Sequence, residues 1–224
     1  MRIATAKILE QKGYHAMRVT DVTESAKVAE GSFYVYFKDK TDASLTVLTS
    51  LLDQFFALHM DSTRGQTAFE SIRATNRKWI AVCRANSGLM RCIFQLGDEA
   101  PEFAQLSQRT NRSWYQRVAE SVIRQRQGLE AGSVLLIVYM LGAMMDELVR
   151  KLIVYPDPEF HVLLESLDMN DDAVADAASL VWLRVLHPDA PRPDLPDDVG
   201  AVSRWMFSGP AEPRTPAART EGIG

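Results

Sequence analysis

Residues 13–40 read GYHAMRVTDVTESAKVAEGSFYVYFKDK. Within this stretch, residues 19–26 place Val19, Val22 and Ala26 on one helical face, and residues 30–37 place Phe33 and Phe37 on another. The join falls near Lys27 and Val28. Two short helices joined by a tight turn, the second rich in aromatics and followed by lysines, have the layout of a helix-turn-helix whose second helix enters the DNA major groove. Val22, Ala26, Val28, Phe33 and Phe37 are expected to lock the two helices together and against the helix before them. Ser32, Tyr34 and Tyr36 then face outward. A Tyr outside a core can lay its ring along the sugar backbone and donate its hydroxyl to phosphate, while Lys38 and Lys40 supply point charges at the edge. Arg18 and Thr20, near the start of the first short helix, are candidates for phosphate contact. Glu30 can accept a hydrogen bond from a cytosine amine in the groove, or serve only the helix dipole as a surface acid. The expected DNA-facing set is Arg18, Thr20, Ala29, Glu30, Ser32, Tyr34, Tyr36, Lys38 and Lys40.

Outward from this stretch the sequence continues as helix after helix. Residues 2–12 are rich in Ala, Ile and Leu and stop at Gly13, the residue that best tolerates a left-handed helix end. Residues 41–60 carry a stripe of Leu45, Leu48, Leu52, Phe55 and Phe56. Further helices are expected at about 66–86, 88–96, 101–127, 131–154 and 171–187, the third opening with Pro101 at a helix-start position. No segment alternates long enough for a strand, so the class is all-α. No proline occurs in the first 100 residues, whereas seven of the ten lie from 188 onward, and proline density opposes helix. Residues 1–45 therefore read as a helix-turn-helix domain, 46–187 as a helical second domain and 188–224 as a mostly disordered tail. Val199, Val202, Trp205 and Met206 are the exception in that tail, spaced so that one short turn could dock.

Composition limits the function. With 46% hydrophobic residues there is ample core, and no apolar stretch is read as approaching the roughly 20 residues that span a bilayer, so no membrane is expected. The start of the chain lacks the features of a secretion signal, and the expected address is cytoplasmic. Cys83 and Cys92 are too few for a disulfide framework. A net charge of −4 argues against nonspecific coating of nucleic acid. The charge is uneven: residues 1–58 hold 7 basic and 7 acidic side chains, 129–187 hold 3 and 10, so a polyanion should meet the front of the chain.

The stretch resembles the DNA-binding domain of the TetR family of transcriptional regulators. The resemblance rests on the helix stop at Gly13-Tyr14, on Val22 and Ala26, and above all on Val28-x-x-Gly31-Ser32-Phe33-Tyr34-x-Tyr36-Phe37-Lys38-x-Lys40. It implies a homodimer, a palindromic double-stranded DNA operator, and a C-terminal domain with a small-molecule pocket whose occupancy releases DNA. It also implies that a long helix joins the N-terminal three-helix domain to a C-terminal ligand-binding and dimerisation domain. Departures have consequences. Met17 and Ala29 stand where the family usually has hydroxyl caps, and a missing cap costs roughly 0.5 to 2 kcal/mol. Lys27 stands where the turn usually carries Gly, so a left-handed conformation there is mildly strained. Helix 1 begins almost at Met1 without the usual basic lead-in, which implies a truncated start or one lying upstream.

The second domain offers many large, adaptable side chains. Trp79, Phe94, Phe103, Asn111, Trp114, Tyr139 and Met144 are the expected pocket for an unknown small apolar or amphipathic ligand, with Gln95 and Arg112 as further polar candidates. Two apolar faces, Val134, Leu135, Val138, Leu141 and Met145 in one helix and Val174, Ala177, Ala178, Val181 and Val185 in another, are expected to pair across a two-fold axis as a four-helix bundle. Enzyme motifs are missing: no His-x-x-x-His, Cys-x-x-Cys, phosphate loop or Gly-x-Ser-x-Gly elbow occurs. His15, His59, His161 and His187 are scattered. Asp98, Glu99 and Glu102 form an acidic cluster of a kind that can do acid/base work or hold a metal, but Glu99 and Glu102 read as helix-start acids, and Glu147 as a partner of Lys151 at (i, i+4). No catalytic residue, metal or cofactor is expected. The reading is a ligand-responsive homodimeric DNA-binding regulator, a repressor. A helical ligand-binding protein or enzyme retaining the motif without DNA function, or an activator, are the alternatives.

Overall fold

Periodicity of apolar residues becomes eleven α-helices among the described residues of a computed structural model, which cover 1–57, 67–99, 101–126, 128–195 and 197–208. They are α1 (Arg2–Ala16), α2 (Val19–Ala26), α3 (Phe33–Tyr36), α4 (Lys40–Ala57), α5 (Ala68–Ala85), α6 (Ser87–Glu99), α7 (Pro101–Gln125), α8 (Ala131–Val149), α9 (Pro158–Ser166), α10 (Asp171–Leu186) and α11 (Asp197–Phe207). A 3₁₀ turn, Glu30–Ser32, leads into α3, and a π-helical turn, Arg150–Val154, extends α8. Starts are built by side chains that accept otherwise unpartnered amides. Thr67 and Glu70 form a reciprocal capping box on α5, and Asn170 Oδ1 accepts the Ala173 amide at 2.9 Å on α10.

Two cores organise the chain. The first, in the head, gathers Ile8, Leu9, Met17, Val22, Phe33, Phe37 and Leu48 from α1 to α4. Leu89, Cys92 and Leu96 of α6 complete it. The second, in the body, joins Ile80 of α5, Met90 of α6, Tyr115 and Val122 of α7, Val138 and Met145 of α8 and Trp182 of α10. Helix α6 thus has one face in each core. Tyr115 packs so closely on Gly142 that a side chain there would overlap its ring, which holds α7 against α8.

A charged seam joins α5 to α10. Asp176, only 1% exposed, accepts paired hydrogen bonds from both Arg73 and Arg77 at 2.6 to 2.8 Å. Arg77 also reaches Asp172, and Arg84 clasps Asp171 in bidentate fashion. Buried Asn76 donates to Ser179 in the same seam.

Several expectations are corrected. Residues 158–166 form a helix that periodicity did not announce, because Val162 and Leu163 lie exposed. Its start signals, Asp157 before Pro158, are nonetheless plain. The tail carries α11, held by Val199, Val202 and Met206 against α10, with Arg184 over the Phe207 ring at 4.7 Å, whereas Trp205 points outward. Residues 209–224 lie outside the described residues. Val134, Val138, Leu141 and Met145 of α8, with Val174 and Ala178 of α10, face the body's own core, so they are unavailable to a partner. The outward apolar positions are Leu136, Tyr139 and Met140 of α8 and Val185 of α10. Residues Ala131–Val154 are long and apolar enough, by length and composition, to cross a membrane, contrary to the reading of the sequence, and one face of α8 is covered by the core. Glu147 pairs with Arg150 at 2.6 Å, which leaves Lys151 to Asp157 at 3.6 Å.

Asp146, half-buried on α8, is a carboxylate whose partial removal from water pushes its pKa up to about 6. Its charge helps to raise the Tyr115 hydroxyl to about 12, after burial as the main cause. A raised acid leaves stability complete below its unfolded value near 3.8 and loses it as pH rises through about 6. Asp146→Asn removes that loss. Urea unfolding should find the variant more stable by about 3 kcal/mol at pH 8 and nearly equal to the parent below about pH 4. Equal stability at both values would mean the carboxylate is fully hydrated.

Candidate nucleic-acid interface and ligand cavity

The helix-turn-helix is fixed from inside. Val22 and Phe33 are fully buried, and the Phe33 and Phe37 rings lie 5.4 Å apart. Gly13 interrupts α1 with φ 75°, as its position at the helix stop predicts. Lys27 takes the left-handed conformation, φ 57° and ψ 44°, and the Lys27 and Val28 amides donate to the Glu24 and Thr23 carbonyls. Val28 does not lock the two helices: it is 43% exposed, because the turn carries it outward.

The start of α2 has no side-chain cap, as expected, but the residue at the capping position is Arg18 and not Met17. Met17 is buried in the head's core, and Arg18 stands in extended conformation as the capping residue. Its amide donates to Asp21 Oδ2 at 3.0 Å, and Lys12 grips Oδ1 of the same carboxylate at 2.6 Å. The Lys12 hydrogen bond, aided by the Arg18 amide, holds Asp21 below its ordinary pKa. Asp21, three residues on from Arg18, therefore supplies only the returning half of a capping box, and no side chain accepts the first-turn amides of α2. Ala29 gives the 3₁₀ turn no side-chain cap, as expected.

Outside this frame, Tyr34 is 58% exposed, Val35 80% and Tyr36 67%. Arg18, Thr20, Ala29, Glu30 and Lys38 are exposed and Ser32 is half-buried. Lys40 stands apart. Its Nζ donates to the Tyr14 and His15 carbonyls at 3.3 and 3.4 Å and lies 4.7 Å from the Tyr14 ring centre, while the Tyr14 and Thr41 hydroxyls bond at 2.9 Å. Lys40 therefore ties α4 to the end of α1. Sequence reasoning missed Val35 and Lys27 as outward-facing groups; the signal for Val35 was its place between two outward tyrosines.

In the body, a cavity of 490 Å³ opens between α5, α7 and α10. Ile72, Val118, Trp114, Trp182 and Leu186 give it apolar walls, and Arg117 and Arg124 of α7 stand two turns apart on its lining. The Trp114 and Trp182 rings meet edge to face, centroids 5.9 Å apart. His187, at the end of α10, is held below its ordinary pKa by burial and by Arg126. Of the expected pocket residues, Trp114 lines this cavity. Trp79, Phe94 and Met144 are packed against the body's core, Tyr139 leans on Tyr115 at 4.6 Å, and Asn111 is half-buried elsewhere on α7. The side chain of Phe103 lies outside the described residues, as do those of Asp98, Glu99 and Glu102. Size and adaptability of side chains pointed to core, whereas the cavity depends on where three helices part.

The family model for bacterial regulatory proteins of the tetR family matches residues 3–42, the segment that holds Gly13, the left-handed turn and the outward tyrosines. Residues 3–42 thus carry a TetR-family DNA-binding segment. The chain is similar to the fatty acid metabolism regulator protein of Bacillus subtilis, 26% identical over 87 residues, 38% of this chain and 45% of that one. It covers less than half the length of the curated relatives it matches. Its fold is similar to the fatty acid degradation regulator FadR from Bacillus halodurans, with TM-score 0.61 at 18% identity, covering 81% of this chain and 92% of that one. It is also similar to FadR from Bacillus subtilis in complex with stearoyl-CoA, with TM-score 0.56 at 16% identity, over 80% and 93%.

Proposed function

We propose that this chain is a homodimeric, ligand-responsive transcriptional regulator that acts in the cytoplasm. As a repressor, it leaves a palindromic operator when a small amphipathic molecule fills the body. The observation that carries the reading is the display of Tyr34, Val35 and Tyr36 on a helix whose inner face is locked by Phe33 and Phe37. Such a helix offers hydroxyls to phosphate and an apolar side chain to a thymine methyl group. Arg18, Thr20, Ala29, Glu30, Ser32 and Lys38 surround it as further contacts, and Lys40 sets the pose of the head. Residues 1–45 are the head, and 46–187 the body. The dimer would use Leu136 and Met140 of α8 with Val185 of α10, the apolar positions that the chain's own core leaves uncovered.

Apolar walls with Arg117 and Arg124 suit a long apolar group that ends in an anion. The Bacillus subtilis complex makes a fatty acyl thioester of coenzyme A the first ligand to try. The test is fluorescence anisotropy of DNA flanking the protein's own gene, titrated with protein at several salt concentrations and then with stearoyl-CoA. A salt-sensitive complex at least about a thousandfold tighter than with scrambled DNA, dissolved by stearoyl-CoA, is expected. Failure to find a specific complex would favour a helical ligand-binding protein or enzyme that kept the motif. A complex that forms only with ligand would favour an activator.

A further inference from the structure

Helix α6 is built into the head as firmly as the head's own helices. Leu89, Cys92 and Leu96 fill the head's core, while Met90 belongs to the body's. At the start of α6 the carboxylate of Glu10 reaches across from α1 and accepts two amides, Gly88 N and Leu89 N, each at 2.8 Å. Amides in the first turn have no partner within their own helix, and an anion there is favoured by the dipole. The two backbones also come close together. A Cβ on residue 88 would overlap the carbonyl oxygen of Glu10 and lie 2.9 Å from its carbonyl carbon and Cα. One turn further, the Cys92 thiol donates to the Leu9 carbonyl at 3.8 Å. Only glycine at 88 permits this approach.

We propose that Glu10 and Gly88 are positioning residues for DNA reading: they make α1 and α6 one rigid piece, so that the recognition helix travels with α6. Helix α1 carries Lys12, which holds Asp21 of α2, and Asp21 also accepts the amide of Arg18 at the entry to α2. Any displacement of α6 in the body then reaches α2 and α3 without passing through α4. In a dimer the displacement occurs twice, once on each side of the axis, and alters the separation of two helices that must enter grooves about 34 to 36 Å apart. This inference rests on the dimeric operator-binding reading above.

The test uses the full chain and operators whose half-site spacing is native, one base pair shorter or one longer, with binding read by anisotropy at fixed salt. Gly88→Ala forces α1 off α6. It should weaken binding to the native operator by about tenfold or more and move the preferred spacing, since one base pair alters both distance and rotation between half-sites. Glu10→Gln keeps the shape but turns an amide donor toward a backbone donor. It should loosen the joint, so that the penalty for wrong spacing shrinks by about threefold while the dimer and helical content persist. If Gly88→Ala does not fold, Glu10→Gln decides. Wild-type affinity and spacing preference in a folded variant would overturn the proposal and leave the regulator reading standing. A wild-type chain that binds no operator would overturn both.

Discussion

Arg73→Met combined with Arg77→Met should lower the stability of the chain by about 3 to 5 kcal/mol, read as a fall in the urea midpoint with an unchanged slope. The cause is what the double change leaves behind. Asp176 is buried between α5 and α10, and its ordinary environment is four hydrogen bonds from two guanidinium groups. Burial by itself raises its pKa, but the bonds from Arg77 and Arg73 outweigh that and hold it below 3.8. In the parent, this depressed acid contributes stability above its unfolded pKa and loses it as pH falls through the lower folded value. In the double variant burial alone remains, so the sign reverses and stability is regained on acidification from neutral toward pH 4. Asp176→Asn should cost less, because Arg73 and Arg77 are each about a third exposed and can take up water. A double variant within about 1 kcal/mol of the parent would mean that the seam is not what holds α5 to α10.

Tyr34→Ala combined with Tyr36→Ala should reduce operator affinity by about a thousandfold while leaving the fold intact. Both side chains are more than half exposed, and neither belongs to the head's core. On the proposed reading, truncating them removes contacts to DNA and almost nothing else. A symmetric dimer makes each contact twice, so two substitutions delete four contacts, and about 1 kcal/mol for each gives about three decades. These tyrosines are neutral, so the salt dependence of the residual binding should keep its slope, whereas Lys38→Ala should reduce that slope by about two in a dimer. Binding within about threefold of the parent would remove α3 from the interface.

The head was legible because its contacts are local. Val22, Phe33 and Phe37 lie within one short stretch, and the left-handed conformation of Lys27 was expected because the turn it resembles usually carries Gly there. What escaped depends on partners far along the chain or on competition between neighbours. Arg73 and Asp176 are 103 positions apart, and no local pattern pairs them. Met17 leaves α2 without a side-chain cap, as expected, but its burial in the head's core and the bond from the Arg18 amide to Asp21 were not foreseen. Lys40 looked like a free charge at the DNA edge until its distance to two carbonyls of α1 became visible. The cavity was the least legible feature, since large side chains such as Trp79 and Met144 fill space whereas a cavity exists where helices diverge. In α11, four apolar residues at helical spacing outweighed the prolines around them.

The edge-to-face contact of Trp114 and Trp182 also has an optical side. One indole belongs to α7 and the other to α10, and both border the cavity. Ring pairs this near couple their electronic transitions, with a strength and sign that depend on mutual distance and angle. The near-ultraviolet dichroism of this chain therefore carries a native gauge of how far α7 stands from α10, with no dye attached.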